Sequence, residues 1–446
     1  MAHLVCPGRH TISSLITTFG NQFQDWSADY ALYAKNRINQ EVIFRQIRKE
    51  VEALTPESRP LCISLDDTIL RKTGKTIPGA AYRKDPLSPP FNINLVWAQR
   101  MLQLSAAIAD ENNEVRMVPV AFRDASTPRK PRKDAPPEQM EAYREWMKQR
   151  NLNALATEAL SQLQQQRANE RGGKAPELHV VVDGSYTNRK VLRHLPESTT
   201  LIGRIRKDAR LSAKPDAQAA RGRRRFYGKD LPTPEQIRQD AGIPWKAVRV
   251  RVAGAWRECE VKTIAPIRWR AAGEMDLRLV VIRPVGYRLS KGARKGYRQP
   301  AYLICTDPDL SLEALLQEYV WRWDIEVNHR DEKTILGVGQ AQVRNENSVE
   351  NIPACAVATY AMLHIAAIKA YGKGGKPTAI PEAKWRRPAK KQRPSTQDLL
   401  NELRRELWSQ AIRPEVLTDF MTRAQRSAKP IKSQPDLCSS LFAATA

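Results

Sequence analysis

The sequence predicts an α/β protein in which helices flank a mixed β-sheet, with a β-rich insertion, an N-terminal helical domain and a helical C-terminal region. Short apolar strands begin at residue 61 and follow one another closely. A continuous apolar run, ELHVVVD (177–183), is typical of a parallel strand that is buried on both faces. A further strand pattern, AYLICT (301–306), precedes a helix rich in charge. Strands that alternate with helices in this way indicate the α/β class.

The charge of the chain indicates a polyanionic partner. The 446 residues include 73 Lys and Arg against 48 Asp and Glu, a formal net charge of +25. Nucleic acid is the favoured partner, because each Lys or Arg placed on a phosphate releases a condensed counterion. A ribosome-associated protein or a merely soluble basic surface would show the same excess. The 41% of hydrophobic residues is typical of a globular chain, not a disordered one.

The cysteine pattern and the hydropathy exclude several classes of protein. Six cysteines are scattered without a CxxC pair, which argues against a zinc site and a disulfide framework. No signal-peptide pattern precedes the first apolar residues. The most apolar segment (352–372) contains Pro353, His364 and Lys369, so we expect a buried helix and no contact with a membrane. We therefore expect a cytoplasmic, nucleoid-associated protein with reduced thiols.

The first 58 residues predict a helical N-terminal DNA-binding domain. Apolar residues recur at three- and four-residue spacing, and Thr11 or Ser13 fits a helix cap. A structural cap on the rest of the protein would fit the same pattern. The basic side chains that favour DNA binding are Lys35, Arg37, Arg45 and Arg48.

The remaining chain divides by composition into a core in two parts, an insertion between them, and a basic C-terminal region. The core predicts closely spaced strands in an antiparallel meander, then a long polar helix (136–168), the apolar strand, a short helix and a further strand. The meander strands are LCISLDD (61–67), FNINLVWAQ (91–99), MLQLSAAIA (101–109) and RMVPVAFRD (116–124). The predicted boundaries are 59–206 for the first core part, 207–300 for the β-rich insertion, 301–372 for the second core part, and 373–446 for the basic linker and helical C-terminal region with its helices over 396–427.

Aspartates stand at the carboxyl ends of two predicted strands, where open α/β sheets build their sites. Asp66 and Asp67 end the first strand, and Asp183 ends the apolar strand. Alternation along the first strand predicts that Asp67 shares the face of Leu61 and other apolar residues. An aspartate after a strand also often caps the following turn.

A third acid comes from the charged helix. At about 100° per residue, Tyr319, Arg322, Glu326 and Lys333 fall within roughly 60° of arc, whereas Glu332 lies nearly opposite Glu326. The other acids of this helix are expected at the surface or in supporting positions. A solvated salt-bridge face would give a similar stripe. Two strand aspartates and Glu326 predict a site for two Mg²⁺ ions, with Mn²⁺ as a substitute, because both ions take carboxylate oxygens.

The same stripe resembles the YREK signature of bacterial insertion-sequence transposases of the DDE group, which have an RNase H-like catalytic core. The resemblance also includes DDT at the first strand, VVDGSY at the second aspartate, LGVGQAQVRN (336–345), and the N-terminal stretches HTISSLITTFG and DWSADYALYAK. It covers nearly the whole chain up to about residue 372.

The resemblance implies a role for each matching position. Asp67, Asp183 and Glu326 match the catalytic and metal-binding acids, with Asp66 as the alternative to Asp67. Tyr319, Arg322 and Lys333 match residues that contact DNA near the scissile phosphate. The resemblance also implies that an aromatic residue of the insertion stacks on a flipped base; the candidates here are Trp245, Trp256 and Trp269.

The sequence therefore predicts a DNA transposase that binds terminal inverted repeats and performs cut-and-paste cleavage and strand transfer as a homodimer on paired ends. A structure-specific nuclease and a catalytically inactive DNA-binding regulator on the same fold are the alternatives. Further phosphate contacts are expected from RGRRRFYG (221–228), through Arg221, Arg223, Arg224 and Arg225, and a solvated loop is its alternative. The basic stretch KWRRPAKKQR (384–393) is similar.

Overall fold

The computed structural model describes residues 1–89, 91–127, 130–215, 225–288, 292–374 and 393–411. Several predicted features lie outside these ranges: Arg221, Arg223 and Arg224, the basic stretch up to residue 392, Cys438, and the helical region beyond residue 411.

Helices and strands alternate along the chain as the sequence predicts. The helices are α1 (Ala2–Val5), α2 (Ile12–Thr18), α3 (Ser27–Ala34), α4 (Gln40–Leu54), α5 (Pro137–Gln149), α6 (Leu152–Glu170), α7 (Arg189–Leu192), α8 (Pro234–Gln239), α9 (Leu312–Trp321), α10 (Trp323–Thr334), α11 (Glu346–Tyr371) and α12 (Thr396–Ala411). The strands are β1 (Leu61–Arg71), β2 (Ala81–Lys84), β3 (Leu95–Ala109), β4 (Val115–Asp124), β5 (Leu178–Val182), β6 (Thr199–Arg204), β7 (Ser212–Ala213), β8 (Lys246–Val252), β9 (Ala255–Arg268), β10 (Leu277–Ile282), β11 (Gly286–Tyr287), β12 (Gly296–Tyr297) and β13 (Ala301–Cys305).

One mixed sheet organises the described chain. Its strand order is β2-β3-β1-β5-β6-β13-β10-β9-β7, with β4 beside β3 and β8 beside β9. β1 runs antiparallel to β3 and parallel to β5, and β5 runs parallel to β6. The predicted α/β class, an RNase H-like mixed sheet flanked by helices, is confirmed. Strands of the β-rich insertion extend this same sheet, because β10 pairs with β13 and β13 pairs with β6.

Three predicted elements have different boundaries. The second and third meander strands are one strand, β3, because Arg100 keeps its pairing with Ile69 and no turn residue interrupts the ladder. The long polar helix is two helices, since the Asn151 side chain accepts a hydrogen bond from the Ala154 N–H and starts α6 anew. The charged helix is also two, α9 and α10, which meet at Arg322.

Helices cover both faces of the central strands. Leu61, Ile63 and Leu65 of β1 pack in the main core, together with apolar residues of α4, α6 and α11. Cys62 of β1 faces the other way, into a second core that includes Trp321 and other residues of α9. β1 is therefore covered on both sides, as befits a strand paired in parallel with β5.

The N-terminal helices pack against this core. The Thr11 hydroxyl accepts a hydrogen bond from the Ser14 N–H, which confirms Thr11 as the cap of α2. Arg48 is 1% exposed and pairs with Glu52 at 2.8 Å and with Glu170 of α6 at 2.7 Å. Arg48 thus joins α4 to α6, so the expectation that it contacts DNA is wrong.

The apolar helix α11 is the one described helix long and apolar enough to cross a membrane. Its apolar window is 72% buried within the protein, as expected for a core helix. Pro353 lies inside α11. The five described cysteines are all free thiols.

Candidate active site

Asp66 and Asp183 lie side by side on the face of the sheet that α9 and α10 cover. β1 and β5 pair in parallel up to Leu65 and Val182, so the next residues along each strand, Asp66 and Asp183, are in register. Alternation puts Asp66 on the face of Cys62, which packs in the second core beside α9. The two carboxylates therefore stand at the carboxyl ends of adjacent parallel strands, on one side of the sheet.

The charges around Asp66 are those of a crowded acidic site. The pKa of Asp66 is raised to about 6, mainly by burial, and the neighbouring charges of Asp67 and Asp183 contribute to this rise. His329 of α10 and the Asp67 N–H, which donates to Asp66 Oδ1 at 2.8 Å, act in the opposite direction. Asp183 also stabilises the turn that follows β5, since its Oδ1 accepts a hydrogen bond from the Ser185 N–H at 2.8 Å.

Asp67 lies on the opposite face of β1. The Tyr186 hydroxyl, which belongs to the main core, donates to Asp67 Oδ1 at 2.9 Å. Arg100 of β3 approaches the other carboxylate oxygen at 3.0 Å. Burial and the charge of Asp67 raise the pKa of Tyr186, so the phenol stays protonated and keeps donating. The contacts of Asp67 are thus those of a carboxylate whose charge is already satisfied by protein groups.

The start of α10 carries Glu326 with its side chain 39% exposed. Glu326 Oε1 lies 3.2 Å from the Arg322 guanidinium, which in turn lies 6.0 Å from the centre of the Tyr319 ring. Tyr319, Arg322 and Glu326 are therefore brought together, as their spacing predicts, although Arg322 stands at the junction of two helices. Arg322 is 13% exposed, and its Nε is buried without a hydrogen-bond partner within the described residues.

The buried face of α10 lies one turn further on. His329 is 8% exposed, and its ring nitrogens are without hydrogen-bond partners within the described part of the chain. Lys333 lies near Asp66 and Asp67: burial lowers its pKa, and the charges of Glu332, Asp66 and Asp67 raise it. Lys333 thus lies close enough to Glu332, Asp66 and Asp67 to interact with their charges.

Glu332 lies on the side of α10 that faces the sheet. It is 1% exposed, and its Oε1 accepts a hydrogen bond from Gln103 at 2.9 Å. Gln103 pairs with Asp66 across β1 and β3. Of the two positions expected for Glu332, surface or supporting, the structure shows the supporting one, because α10 turns the spacing 325, 328, 329 and 332 toward the sheet.

The residues fit a divalent cation in part. Asp66 and Asp183 offer the hard oxygen donors that Mg²⁺ prefers, and burial together with the charges of Asp67 and Asp183 raises the pKa of Asp66. Among the described residues, no three His, Cys, Asp or Glu side chains converge closely enough to hold an ion. The predicted set of Asp67, Asp183 and Glu326 is therefore not gathered at one point.

A large basic cleft opens beside α9 and α10. It encloses about 1540 Å³. Arg204 lies at its sheet end, one residue beyond Gly203, which pairs with Val182 next to Asp183. The side chains that line it and carry positive charge or an aromatic ring include Arg204, Arg251, Arg298, Tyr297, Tyr319 and Arg322. A cleft with this lining suits a phosphate backbone with accessible bases.

The tryptophans of the insertion differ in exposure. Trp245 is partly buried, with Lys262 Nζ 4.7 Å from its ring centre. Trp269 is partly buried against the main core. Trp256 is 42% exposed, with the Arg249 guanidinium 5.5 Å from its ring centre. Exposure therefore favours Trp256 among the three for stacking on a base. Arg225, the described member of the basic insertion loop, is exposed.

Tyr186, Arg100, Gln103 and His329 are site residues that the sequence reasoning missed. Tyr186 was visible in VVDGSY, three residues after Asp183. Gln103 and Arg100 become visible only when β3 is paired with β1, since both stand in an otherwise apolar strand. A polar residue in a buried strand needs a partner, and that requirement is the signal.

The family comparison agrees with this geometry. A family model described as DDE superfamily endonuclease matches residues 1–266, which include Asp66, Asp67 and Asp183 and end before α9 and α10. No curated protein matches the chain. The match spans more than half of the sequence and contains both strands whose acids stand in register. The chain therefore belongs to the DDE superfamily endonucleases, nuclease-type enzymes that generally use divalent metals.

Proposed function

We propose that the protein is a DNA transposase, which binds the terminal inverted repeats of its element and catalyses cut-and-paste cleavage and strand transfer. The observation that carries the proposal is the in-register pair Asp66 and Asp183, which faces α10 with its YREK-spaced residues in a family of endonucleases. The net charge of +25 and the basic cleft favour DNA as the substrate.

We propose Asp66, Asp183 and Glu326 as the metal-binding acids, with Asp66 in the place that the sequence assigned to Asp67. Mg²⁺, two ions per site with Mn²⁺ as a substitute, would supply charge stabilisation for phosphoryl transfer. The support is that Asp66 shares a face with Asp183, whereas Asp67 is already held by Tyr186 and other groups. To bind a metal ion with Asp66 and Asp183, Glu326 would have to give up its ion pair with Arg322.

The basic and aromatic residues would position the DNA. Arg322 can bind a phosphate through two parallel hydrogen bonds once Glu326 leaves it. Lys333, next to the acids, would offset part of the repulsion between carboxylates and the scissile phosphate. Tyr319 lies in the cleft wall next to Arg322. We further propose a cytoplasmic, nucleoid-associated homodimer on paired ends.

A strand-transfer assay tests the proposal. Purified protein is incubated with Mg²⁺, labelled DNA carrying the ends of the element, and a plasmid target. We expect cleaved ends and joined products, and we expect Asp183→Asn and Glu326→Gln to lose both while still binding the ends, because Lys and Arg provide the affinity. Cleavage without joining would favour a structure-specific nuclease, and unchanged activity in both variants would exclude the acidic site.

A further inference from the structure

The β2–β3 hairpin ends in a tip whose described residues are strongly apolar. Phe91 is 91% exposed, and three more large apolar side chains of the tip are at least 60% exposed. Those three are Leu87 at 84%, Ile93 at 68% and Leu95 at 60%. Such a cluster is unusual on a soluble surface and marks a binding site.

The backbone of the tip is held by its own hydrogen bonds. The Asp85 N–H donates to the Asn94 carbonyl at 2.8 Å, and the Asn94 N–H donates to Ser88 Oγ at 3.1 Å. The Asn92 N–H donates to the Pro89 carbonyl at 3.1 Å. The apolar side chains are therefore presented outward by a folded loop, which lowers the entropy that a partner must overcome on binding.

The stem below the tip is basic. Residues 71–95 contain five Lys or Arg and one acid, Asp85. Lys75 lies 5.0 Å from the ring centres of both Tyr82 and Trp97, and Tyr82 is 61% exposed. Lys84 is exposed at the point where the stem meets the tip. A basic stem is complementary to a polyanion and would repel the same stem of a second copy.

The size of the tip also favours DNA over a second copy of the chain as its partner. A stable protein–protein interface buries roughly 1,200–2,000 Å² in total, from about 20–30 residues on each side. The loop between β2 and β3 spans residues 85–94, too few to provide such an interface. Apolar wedges of this size, in contrast, are what DNA-bending proteins insert between base steps.

The strands of the stem come directly from the acidic site. Gln103 of β3 pairs with Asp66, and Leu95 begins the same strand eight residues earlier. At about 3.3 Å per residue, Leu95 at the base of the loop lies roughly 26 Å from the acids, a distance of about eight base steps. Phe91 lies further out in the loop, at about one turn of duplex from a phosphate bound at Asp66.

We propose that the β2–β3 tip is a DNA wedge, which inserts Phe91, flanked by Ile93, between base pairs near the cleaved end and unstacks one step there. This inference rests on the proposed function for its substrate. It adds a second point of contact that acts on the shape of the DNA and not on its phosphates.

Base unstacking can be measured without cleavage. A set of duplexes carrying the element's end, each with 2-aminopurine at a different step, is titrated with the full chain in EDTA. We expect one step to brighten with wild type, and Phe91→Ala with Ile93→Ala to remove that signal and weaken binding roughly tenfold, the size of one lost base–aromatic stack. Phe91→Trp keeps an aromatic ring at this position and should therefore retain the signal that the alanine variant loses.

Met362→Ala is the matched control, because Met362 is 48% exposed on α11, away from the hairpin, and should bind and unstack DNA like wild type. Wild-type affinity and fluorescence in the Phe91 variant would overturn the wedge. So would a dimer, seen by sedimentation without DNA, that Phe91→Ala dissociates, since the tip would then bind a second copy. Unstacking without cleavage in Mg²⁺ would support the wedge and refute the transposase. Cleavage without unstacking would support the transposase and refute the wedge.

Discussion

Replacing Asp66 with Asn should make the metal-free protein more stable while it abolishes cleavage. The pKa of Asp66 is raised from 3.8 to about 6, chiefly by burial and in part by the charges of Asp67 and Asp183. The folded protein therefore binds a proton at Asp66 more tightly than the unfolded chain does. In the absence of a cation, the ionised carboxylate at neutral pH opposes folding.

The size and the pH window follow from the shift. A difference of about two pKa units at 1.36 kcal/mol each corresponds to ~3 kcal/mol. The penalty develops as the pH rises from 3.8 through about 6 and is complete above that. Asn carries no charge, so the variant should gain ~3 kcal/mol at pH 8 and about half as much at pH 5.

Urea denaturation in EDTA at these two pH values measures the gain. Asp67→Asn is the matched control: the same change one residue away should cost ~1–3 kcal/mol, because Tyr186 and Arg100 lose a charged partner. Mg²⁺ should stabilise wild type but not Asp66→Asn, since an ion that binds only the folded state shifts the equilibrium. An equal gain at both pH values, or loss of cleavage in Asp67→Asn but not in Asp66→Asn, would refute the assignment.

Three further changes test the surroundings of the site. Tyr186→Phe should lower the free energy of unfolding by about 1.5–3 kcal/mol, because its hydroxyl donates to the ionised Asp67; chemical denaturation checks this, and an unchanged midpoint contradicts it. Burial lowers the pKa of His179, but its hydrogen bonds to Glu318 outweigh this and the net shift is upward, so wild type should lose stability as the pH rises through that raised pKa. Glu318→Gln should remove this pH dependence from melting curves, and a curve parallel to wild type would exclude the pair as its source. Lys333→Met should reduce the slope of log affinity against log salt by about one, because one phosphate contact is lost. DNA titration at several salt concentrations measures this slope, and an unchanged slope would show that Lys333 does not contact phosphate.

The fold class was predictable because composition and alternation act locally. The apolar run before Asp183 could only be a strand covered on both faces, and it is. The choice between Asp66 and Asp67 was not predictable from alternation. The apolar residues Leu61, Ile63 and Leu65 pointed to one buried face, but Cys62 and Ser64 are buried as well, at 4% and 0% exposure. When both faces of a strand are covered, alternation no longer tells which face carries the helix that supplies the third acid.

The stripe of Tyr319, Arg322, Glu326 and Lys333 was also predictable only in part, because packing decides which way a helix face points. The angular spacing correctly grouped Glu326 with Arg322, which pair at 3.2 Å, because their offset depends only on helix geometry. It could not give the direction in which the stripe points, since that is set by packing. Ile325 and Asn328 turn to the sheet, with exposures of 0% and 1%, so the stripe lies at the border of the buried face and not at its centre.

The many acids on α9 and α10 are explained by the contacts they make, and Glu326 differs from the others in its partner. Five acids lie between residues 318 and 332, and four of them bond to elements elsewhere in the fold. Glu318 binds His179 of β5, Asp324 binds the Met117 N–H of β4, Asp331 binds Thr396 of α12, and Glu332 binds Gln103 of β3. Glu326 pairs instead with Arg322, at the start of its own helix. Breaking a buried contact with another element would cost several kcal/mol, whereas separating this partly exposed pair costs about 1 kcal/mol or less. Under the proposed assignment, Glu326 is thus the acid that would turn toward a cation at Asp66 and Asp183 while the other four hold the helices in place, and its release would free Arg322 for a phosphate at the same time.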